Sequence, residues 1–114
     1  MTSPFLLIAR IEVKPIYVKD YLELASITDK AVMDSEPGML HHSFDKDPEH
    51  SSKFTWSEVY KSEEALLEHL SNPVLAVYLN RHKELADSLS LEIYGRIGLG
   101  ALKALEATSL PLRI

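Results

Sequence analysis

The segment FTWSEVYKSEEALLEHLSNP, residues 54–73, predicts a strand that leads directly into a helix. Large residues alternate with smaller or polar ones from Phe54 to Tyr60, which is the pattern of a strand with one buried face. Ser62 is a favourable N-cap, and the two glutamates after it would lie in the first helical turn, where the helix dipole favours acids. We expect this helix to run to about residue 70.

A second helix start follows at once. Asn72 caps helices well, and Pro73 would occupy the first helical position, where proline is favoured. This second helical piece is predicted to run to about Asp87. The other elements follow from apolar periodicity and from the helix stop Glu36-Pro37-Gly38. They are a strand at 5–13, a helix at 17–35, a strand at 39–46 and a strand at 89–97.

The order strand, helix, strand, strand, helix, strand predicts an α+β fold of the ferredoxin-like split βαβ type. Its four-stranded antiparallel sheet would carry the helices on one face. The other face would carry Leu6 and Ile8, with Leu40 and Phe44 if Met39 faces the helices. We therefore expect two such sheets to pack face to face as a homodimeric α+β barrel.

The main domain is expected at residues 1–97. Residues 98–114 would form a C-terminal extension that packs on the same domain or on the partner subunit. Neither alternative is favoured by a particular residue.

Composition narrows the functional classes. The 114 residues suit one domain, and the net charge of -5 comes without a cluster of Lys and Arg, so neither nucleic acid nor an anionic membrane is an expected partner. The chain has no cysteine, which excludes disulfides, thiolate metal sites and a cysteine nucleophile. The apolar start is interrupted by Arg10 and Glu12 and does not resemble a signal peptide or a membrane span, so a cytoplasmic location is expected.

Four side chains of the strand at 53–60 should share one face: Phe54, Trp56, Glu58 and Tyr60. Glu58 is the unusual one, because a buried charged acid needs a partner. It would act as a general base or orient a histidine, or it is a structural acid bonded to backbone or to an arginine. Both interpretations stay open.

His69 is the leading catalytic candidate. It lies two turns into its helix, beside Leu66 and Leu70, and can therefore point at the sheet. A neutral imidazole suits proton abstraction near pH 7. The alternative is a core histidine satisfied by one hydrogen bond.

Other candidates are weaker. His41 and His42 are adjacent on a strand and must face opposite sides, and we expect His41 to face the pocket. Tyr78 would join Trp56 as an aromatic wall, although large aromatics are more often core residues. Arg10 would hold an anionic group of a substrate or form a surface ion pair.

Metal and phosphate sites are not indicated. The spacing of His, Asp and Glu matches no metal site, and the four glycines form no phosphate-binding loop. His50 and His82 are predicted to face solvent.

Two segments, EPGMLHHSFDKD at 36–47 and EVYKSEEALLEHLSNP at 58–73, resemble the antibiotic biosynthesis monooxygenase family. The resemblance extends over about residues 5–97 and implies a dimeric α+β barrel. This family includes cofactor-free oxygenases of quinol-type aromatics, haem-degrading enzymes and small-metabolite isomerases. The best local match is to the quinol-oxygenase and autoinducer-metabolism group, which shares the strand end and the helix histidine at His69.

The same resemblance disfavours haem degradation. The haem-degrading members have Trp where this chain has Tyr60, their haem-binding His falls near Leu79, and their strand-one Asn has no counterpart. The aromatic-polyketide oxygenases also have Trp near Tyr60, and an Asn near Trp56. Neither residue is present here.

The resemblance therefore implies a cofactor-independent monooxygenase that acts on a small electron-rich aromatic and uses dioxygen. His69, assisted by Glu58, would remove a proton, and Tyr60 would donate to the developing oxyanion. No flavin, haem or metal is expected. Two alternatives remain: an isomerase, which needs Arg10 or Arg81 in the pocket, and a non-catalytic ligand-binding or stress-response module.

Overall fold

A computed structural model describes residues 3–114, and these form one mixed sheet and four α-helices. The strand order is β2-β3-β1-β4-β5. A single 3-10 turn at Pro15–Tyr17 precedes the first helix. The elements are β1 (Phe5–Val13), α1 (Val18–Ser35), β2 (Met39–Lys46), β3 (Lys53–Tyr60), α2 (Glu63–Ser71), α3 (Pro73–Leu85), β4 (Ala86–Tyr94), α4 (Leu99–Ala107) and β5 (Leu112–Arg113).

The first four strands confirm the ferredoxin-like arrangement. β1 lies between β3 and β4 and is antiparallel to both, and β2 pairs antiparallel with β3. The fifth strand is an addition: β5 runs parallel to β4, with Leu112 opposite Leu91. This strand is not among those predicted from the sequence, and its pairing involves only two residues.

Alternation on the two central strands is as predicted. Every second residue of β1, from Phe5 to Val13, is buried, and so is every second residue of β3 from Phe54 to Tyr60. These buried faces meet the helices in one hydrophobic core. Glu58 thus lies on the core side of the sheet, opposite Leu7 of β1.

Side-chain caps explain the break between α2 and α3. The Ser62 hydroxyl accepts a hydrogen bond from the backbone N–H of Ala65 at 3.3 Å. The Asn72 side chain accepts from the N–H of Val74 at 3.1 Å, with Pro73 at the start of α3. The break places His69 in the last turn of α2, buried against the sheet.

A register shift in β2 overturns the prediction for His41. Met39 is opposite Tyr60, but His41 is opposite Val59 and His42 is opposite Glu58, so one extra residue is accommodated between Met39 and His41. An extra residue reverses the alternation that follows it. His42 and Phe44 therefore face the helices, and His41 is exposed.

The boundaries of β4 also differ from the prediction of 89–97. α3 ends at Leu85, and β4 begins at Ala86, because a register shift at the end of β1 pairs Ala86 with Val13. The strand ends at Tyr94, where Gly95 adopts a φ of 123°. This positive φ suits glycine and turns the chain away from the sheet.

The C-terminal segment contacts α2 by way of α4, and it contacts β4 by way of β5. Ala101 and Leu105 of α4 are fully buried, and the backbone N–H of Ala101 donates to Glu63 of α2 at 2.5 Å. Among residues 3–114, no helix is both long enough and apolar enough to cross a membrane.

Candidate active site

A mainly apolar cavity of about 70 Å³ lies between the sheet and the helices. Leucine side chains make up much of its wall. Two threonines reach it, as do six other side chains with polar groups: His42, Trp56, Glu58, Tyr60, His69 and Tyr78.

Five of the eight side chains proposed from the sequence line this cavity: His69, Glu58, Tyr60, Trp56 and Tyr78. The other three do not. Phe54 is buried in the core and stacks on Phe44, with ring centroids 5.0 Å apart. His41 is exposed and bonds to Ser43.

Arg10 is the third proposed residue outside the cavity. It lies on the face of the sheet opposite the helices, where it forms an ion pair with Glu92. This agrees with the surface ion pair and not with the substrate-binding role. Arg81 pairs with Glu84 at 2.6 Å on the exposed side of α3 and does not line the cavity either.

His69 forms a buried pair with Glu36. Its Nδ1 lies 3.0 Å from both carboxylate oxygens of Glu36, which is only 3% exposed. The side-chain amide of Asn72 also donates to Glu36, at 2.8 Å. A carboxylate at Nδ1 favours the tautomer in which Nδ1 carries the proton. Nε2 is then left to accept a proton on the side of Glu58 and the cavity.

Glu36 is not among the site residues predicted from the sequence. It belongs to the Glu-Pro-Gly segment that ends α1, and its backbone N–H bonds to Val32, as expected for a helix end. One signal was present. The dipole disfavours an acid at a helix C-terminus, so an acid at this position suggests a partner elsewhere.

Glu58 is held by two side chains. Its Oε1 accepts a hydrogen bond from the Tyr60 hydroxyl at 2.5 Å, and its Oε2 lies 3.3 Å from Nε2 of His42. Nε2 of His69 is farther away, at 4.0 Å. Among residues 3–114, Glu58 therefore has neither the backbone nor the arginine partner considered from the sequence, and the Tyr60 proton is directed at Glu58.

The pKa shifts indicate that Glu58 and His42 form an ion pair. Burial acts to raise the pKa of Glu58, but the hydrogen bond and positive charge of His42 and the hydrogen bond from Tyr60 outweigh it, so the pKa is lowered. Burial acts to lower the pKa of His42, but Glu58 and Asp29 outweigh it, so that pKa is raised. Burial and the nearby charge of Glu58 raise the pKa of Tyr60, which keeps its proton.

His42 connects the cavity to the surface. Its side chain is 2% exposed and stacks on Trp56 with ring centroids 4.4 Å apart. Its Nδ1 lies 2.5 Å from Oδ1 of Asp29, whose side chain is 39% exposed. The imidazolium thus lies between a buried carboxylate and a partly exposed one.

Asp29→Asn is expected to lower the pKa of His42, because the amide keeps the contact but removes a negative charge. The change can be measured by NMR titration of the imidazole ring protons. Since the folded pKa of His42 is raised, its contribution to stability is complete below the ordinary histidine pKa and is lost as pH rises through the raised value. Asp34→Asn, which alters only an exposed pair with Lys30, is the control. An unchanged His42 pKa in Asp29→Asn would contradict the assignment.

A second buried network fixes the aromatic wall. Nε1 of Trp56 donates to the Tyr78 hydroxyl at 2.9 Å, and this hydroxyl is also bonded to that of Tyr21. Burial raises the pKa of Tyr78 to about 12. The Tyr21 hydroxyl lies 2.7 Å from Nδ1 of His82, which is buried, so the prediction that His82 faces solvent is wrong. Burial lowers the pKa of His82 and favours its neutral form.

Within residues 3–114, no group of three or more His, Cys, Asp and Glu side chains is arranged to hold a metal ion. The buried polar groups around the cavity instead satisfy one another by hydrogen bonds.

The family model of antibiotic biosynthesis monooxygenase matches residues 4–81, which is more than half of the chain. This chain belongs to that family. A search of curated proteins finds no match. The antibiotic biosynthesis monooxygenase model covers Glu36, Glu58 and His69, while the cavity-lining residues of the C-terminal segment lie beyond it.

Solved structures share the fold. A "putative antibiotic biosynthesis monooxygenase" from Bacteroides thetaiotaomicron is 21% identical, with a TM-score of 0.73 over 85% of this chain and 90% of that one. A conserved protein from Methanosarcina mazei is 20% identical, with a TM-score of 0.78 over 83% and 94%. A Mycobacterium tuberculosis protein is 21% identical, with a TM-score of 0.75 over 84% and 97%. At these identities the likeness shows the antibiotic biosynthesis monooxygenase fold alone.

Proposed function

We propose that this protein is a cofactor-independent monooxygenase that acts on a small electron-rich aromatic of the quinol or phenol type. The observation that carries the proposal is the His69–Glu36 pair at the wall of an apolar cavity. A buried carboxylate orients the imidazole through Nδ1 and leaves Nε2 on the cavity side to accept a proton.

The reaction begins when Nε2 of His69 removes a proton from the substrate. The substrate anion then supplies the electron pair for a new carbon–oxygen bond to dioxygen, which forms a peroxide. The proton held by His69 returns to this peroxide, and loss of water leaves a carbonyl group. One oxygen atom enters the product and the other leaves as water, so dioxygen is the only oxidant.

The surrounding side chains support these steps. Glu58 is charged and lies 4.0 Å from Nε2, so it stabilises the imidazolium that forms on His69. Trp56 and Tyr78 are fixed by their mutual hydrogen bond and offer aromatic surfaces to a ring. The leucine walls exclude water from the substrate anion.

Oxygen uptake tests the proposal. Metal-stripped protein should consume oxygen with at least one member of a panel of quinols and anthrone-like phenols, at a rate above the autoxidation of that compound alone. Protein-dependent uptake that persists after metal removal would support the proposal. If no compound gives uptake above its own autoxidation, the oxygenase assignment fails.

The volume of the cavity favours a second candidate, a module that binds a small ligand without turnover. A cavity of about 70 Å³ is much smaller than ligand pockets in general, which measure about 300–1,000 Å³. The isomerase alternative has less support, because neither Arg10 nor Arg81 lines the cavity. Binding without oxygen uptake would indicate the binding module.

We also propose that the protein is a homodimer built through the open face of the sheet. Leu6, Ile8 and Val59 lie on this face, and each is only partly buried within one chain. Ile8→Asp is expected to shift a dimer toward monomer in sedimentation experiments, because it places a charge in the proposed interface. Ile27→Asp is the control, since Ile27 is 62% exposed on α1. A wild-type protein that sediments as a monomer would refute the dimer.

A further inference from the structure

The segment that follows α4 closes one side of the cavity. Leu105 at the end of α4 and Thr108 and Leu110 after it contribute to the lining. We call residues 108–113 the C-terminal strap. All of these residues lie beyond the region matched by the family model. The strap is therefore a part of the cavity wall that this chain adds to the matched region.

The strap is attached more weakly than the helix before it. α4 is anchored by Leu105 and Ala101, both fully buried. β5 instead has two residues, paired with Leu91 and Glu92, and the Leu91 N–H donates to the carbonyl of Pro111 at 2.8 Å. A short edge pairing with few buried side chains opens at low free-energy cost.

A left-handed residue sets the path of the strap. Ser109 has a φ of 61°, the only positive φ of a non-glycine residue within residues 3–114. This conformation ends α4 and reverses the chain, and the Thr108 hydroxyl completes the turn by accepting from the Leu110 N–H at 3.2 Å. The turn directs Leu110 back toward the cavity, where it is partly buried.

We propose that Leu110 on the C-terminal strap limits ligand size, and that the ligand is a neutral aromatic of one ring. This inference rests on the proposed function for the identity of the ligand class. The size limit follows in part from the small volume of the cavity. It also follows from the position of Leu110, because α4 and the strap form the one wall of the cavity that does not belong to the sheet or to α1–α3.

The charge of the cavity wall accounts for the neutral ligand. Of the residues that the structure describes, 3–114, no lysine or arginine lines the cavity. The imidazolium of His42 is already paired with Glu58 and Asp29. An anionic ligand would approach the carboxylate of Glu58 without a free cation to compensate, whereas a phenolic hydroxyl can donate to His69.

Anaerobic calorimetry tests this inference, because it measures binding in the absence of turnover. The two probes are 1,4-hydroquinone, with one ring, and 1,4-dihydroxynaphthalene, with two. In Leu110→Ala, the ratio of the affinity for the two-ring probe to that for the one-ring probe is expected to rise at least tenfold. A difference of a few carbons in an apolar pocket can change discrimination between two ligands by this much. Leu110→Phe is expected to weaken hydroquinone binding at least tenfold. Leu99→Ala, which alters an exposed residue of α4 outside the cavity, should leave both affinities unchanged.

The outcomes separate this inference from the proposed function. If the ratio of affinities stays within twofold of wild type in both Leu110 variants while urea unfolding shows them folded, Leu110 does not set ligand size. Failure of both probes to bind wild type and Leu110→Ala would also overturn the inference. If the ratio changes as expected but no compound supports oxygen uptake, the strap limits ligand size in a binding protein and the oxygenase assignment fails instead.

Discussion

His69→Ala is expected to lower kcat for oxygen uptake by about 10²-fold or more, because it removes the group that takes the substrate proton. KM should change much less, since the apolar walls that bind the ring remain in place. Steady-state measurements with an oxygen electrode on metal-stripped protein give both constants. The matched control is His50→Ala, because His50 is an exposed loop histidine and its removal should leave both constants unchanged.

Glu36→Gln extends the same test to the orienting carboxylate. The amide can still contact Nδ1 of His69, but it no longer favours the Nδ1-protonated tautomer and does not stabilise the imidazolium. A loss of at least tenfold in kcat with little change in KM is expected. Uptake that is equal in wild type, His69→Ala and Glu36→Gln would show that the base is another group or that the uptake is autoxidation.

His42→Leu is expected to destabilise the protein by about 3–5 kcal/mol, the usual cost of leaving one member of a buried ion pair without its partner. Glu58 is 6% exposed, and in this variant only the Tyr60 hydroxyl would remain hydrogen-bonded to its carboxylate. The free energy of unfolding can be measured in urea near pH 7. The adjacent His41→Leu is the control, because His41 is exposed and such substitutions usually change stability by no more than about 0.5 kcal/mol.

The double variant His42→Leu, Glu58→Gln isolates the charge. It should recover a substantial part of the lost stability, since the amide has no charge to bury.

The pH dependence of the free energy of unfolding provides a second check. In wild type the lowered pKa of Glu58 gives stability that is complete above the ordinary carboxyl pKa and is lost as pH falls through the lowered value. In His42→Leu burial dominates and raises this pKa, so the deficit relative to wild type should shrink as pH falls. A deficit equal to that of His41→Leu would show that the pair does not contribute.

The parts of the fold that the sequence predicts correctly are those that local patterns determine. Alternation of period two placed β1 and β3 and identified their buried faces, including that of Glu58. The caps at Ser62 and Asn72 located the start of α2 and the break before α3. Each of these signals lies within a few residues of the feature it predicts, so a single sequence is sufficient.

The errors arise where the structure depends on distant contacts. Because of the register shift in β2, His42 and not His41 faces the helices. No glycine lies between Met39 and His41 to indicate this shift in the sequence. The pairing of β5 with β4 joins Leu112 to Leu91 through one short parallel contact, which leaves no periodic pattern. His82 is buried because Tyr21, 61 positions away, bonds to it.

The candidate site shows the same division. The sequence indicated His69 and Glu58 because their positions beside apolar residues are unusual for polar groups. It did not indicate Glu36, because the partner of His69 lies 33 positions earlier, in a segment that already has a role as a helix stop. The sequence predicts a C-terminal extension at residues 98–114, but it does not indicate the contact of the strap with the cavity, because this contact depends on the turn at Ser109.

The proposed oxygenase would transfer one atom of dioxygen to an aromatic without a cofactor. Mass spectrometry of the product formed under ¹⁸O₂ by the metal-stripped protein tests this transfer most directly. We expect one ¹⁸O atom in each product molecule, with formation at least tenfold slower in His69→Ala. A product without ¹⁸O, or one that forms at the same rate without the protein, would contradict it.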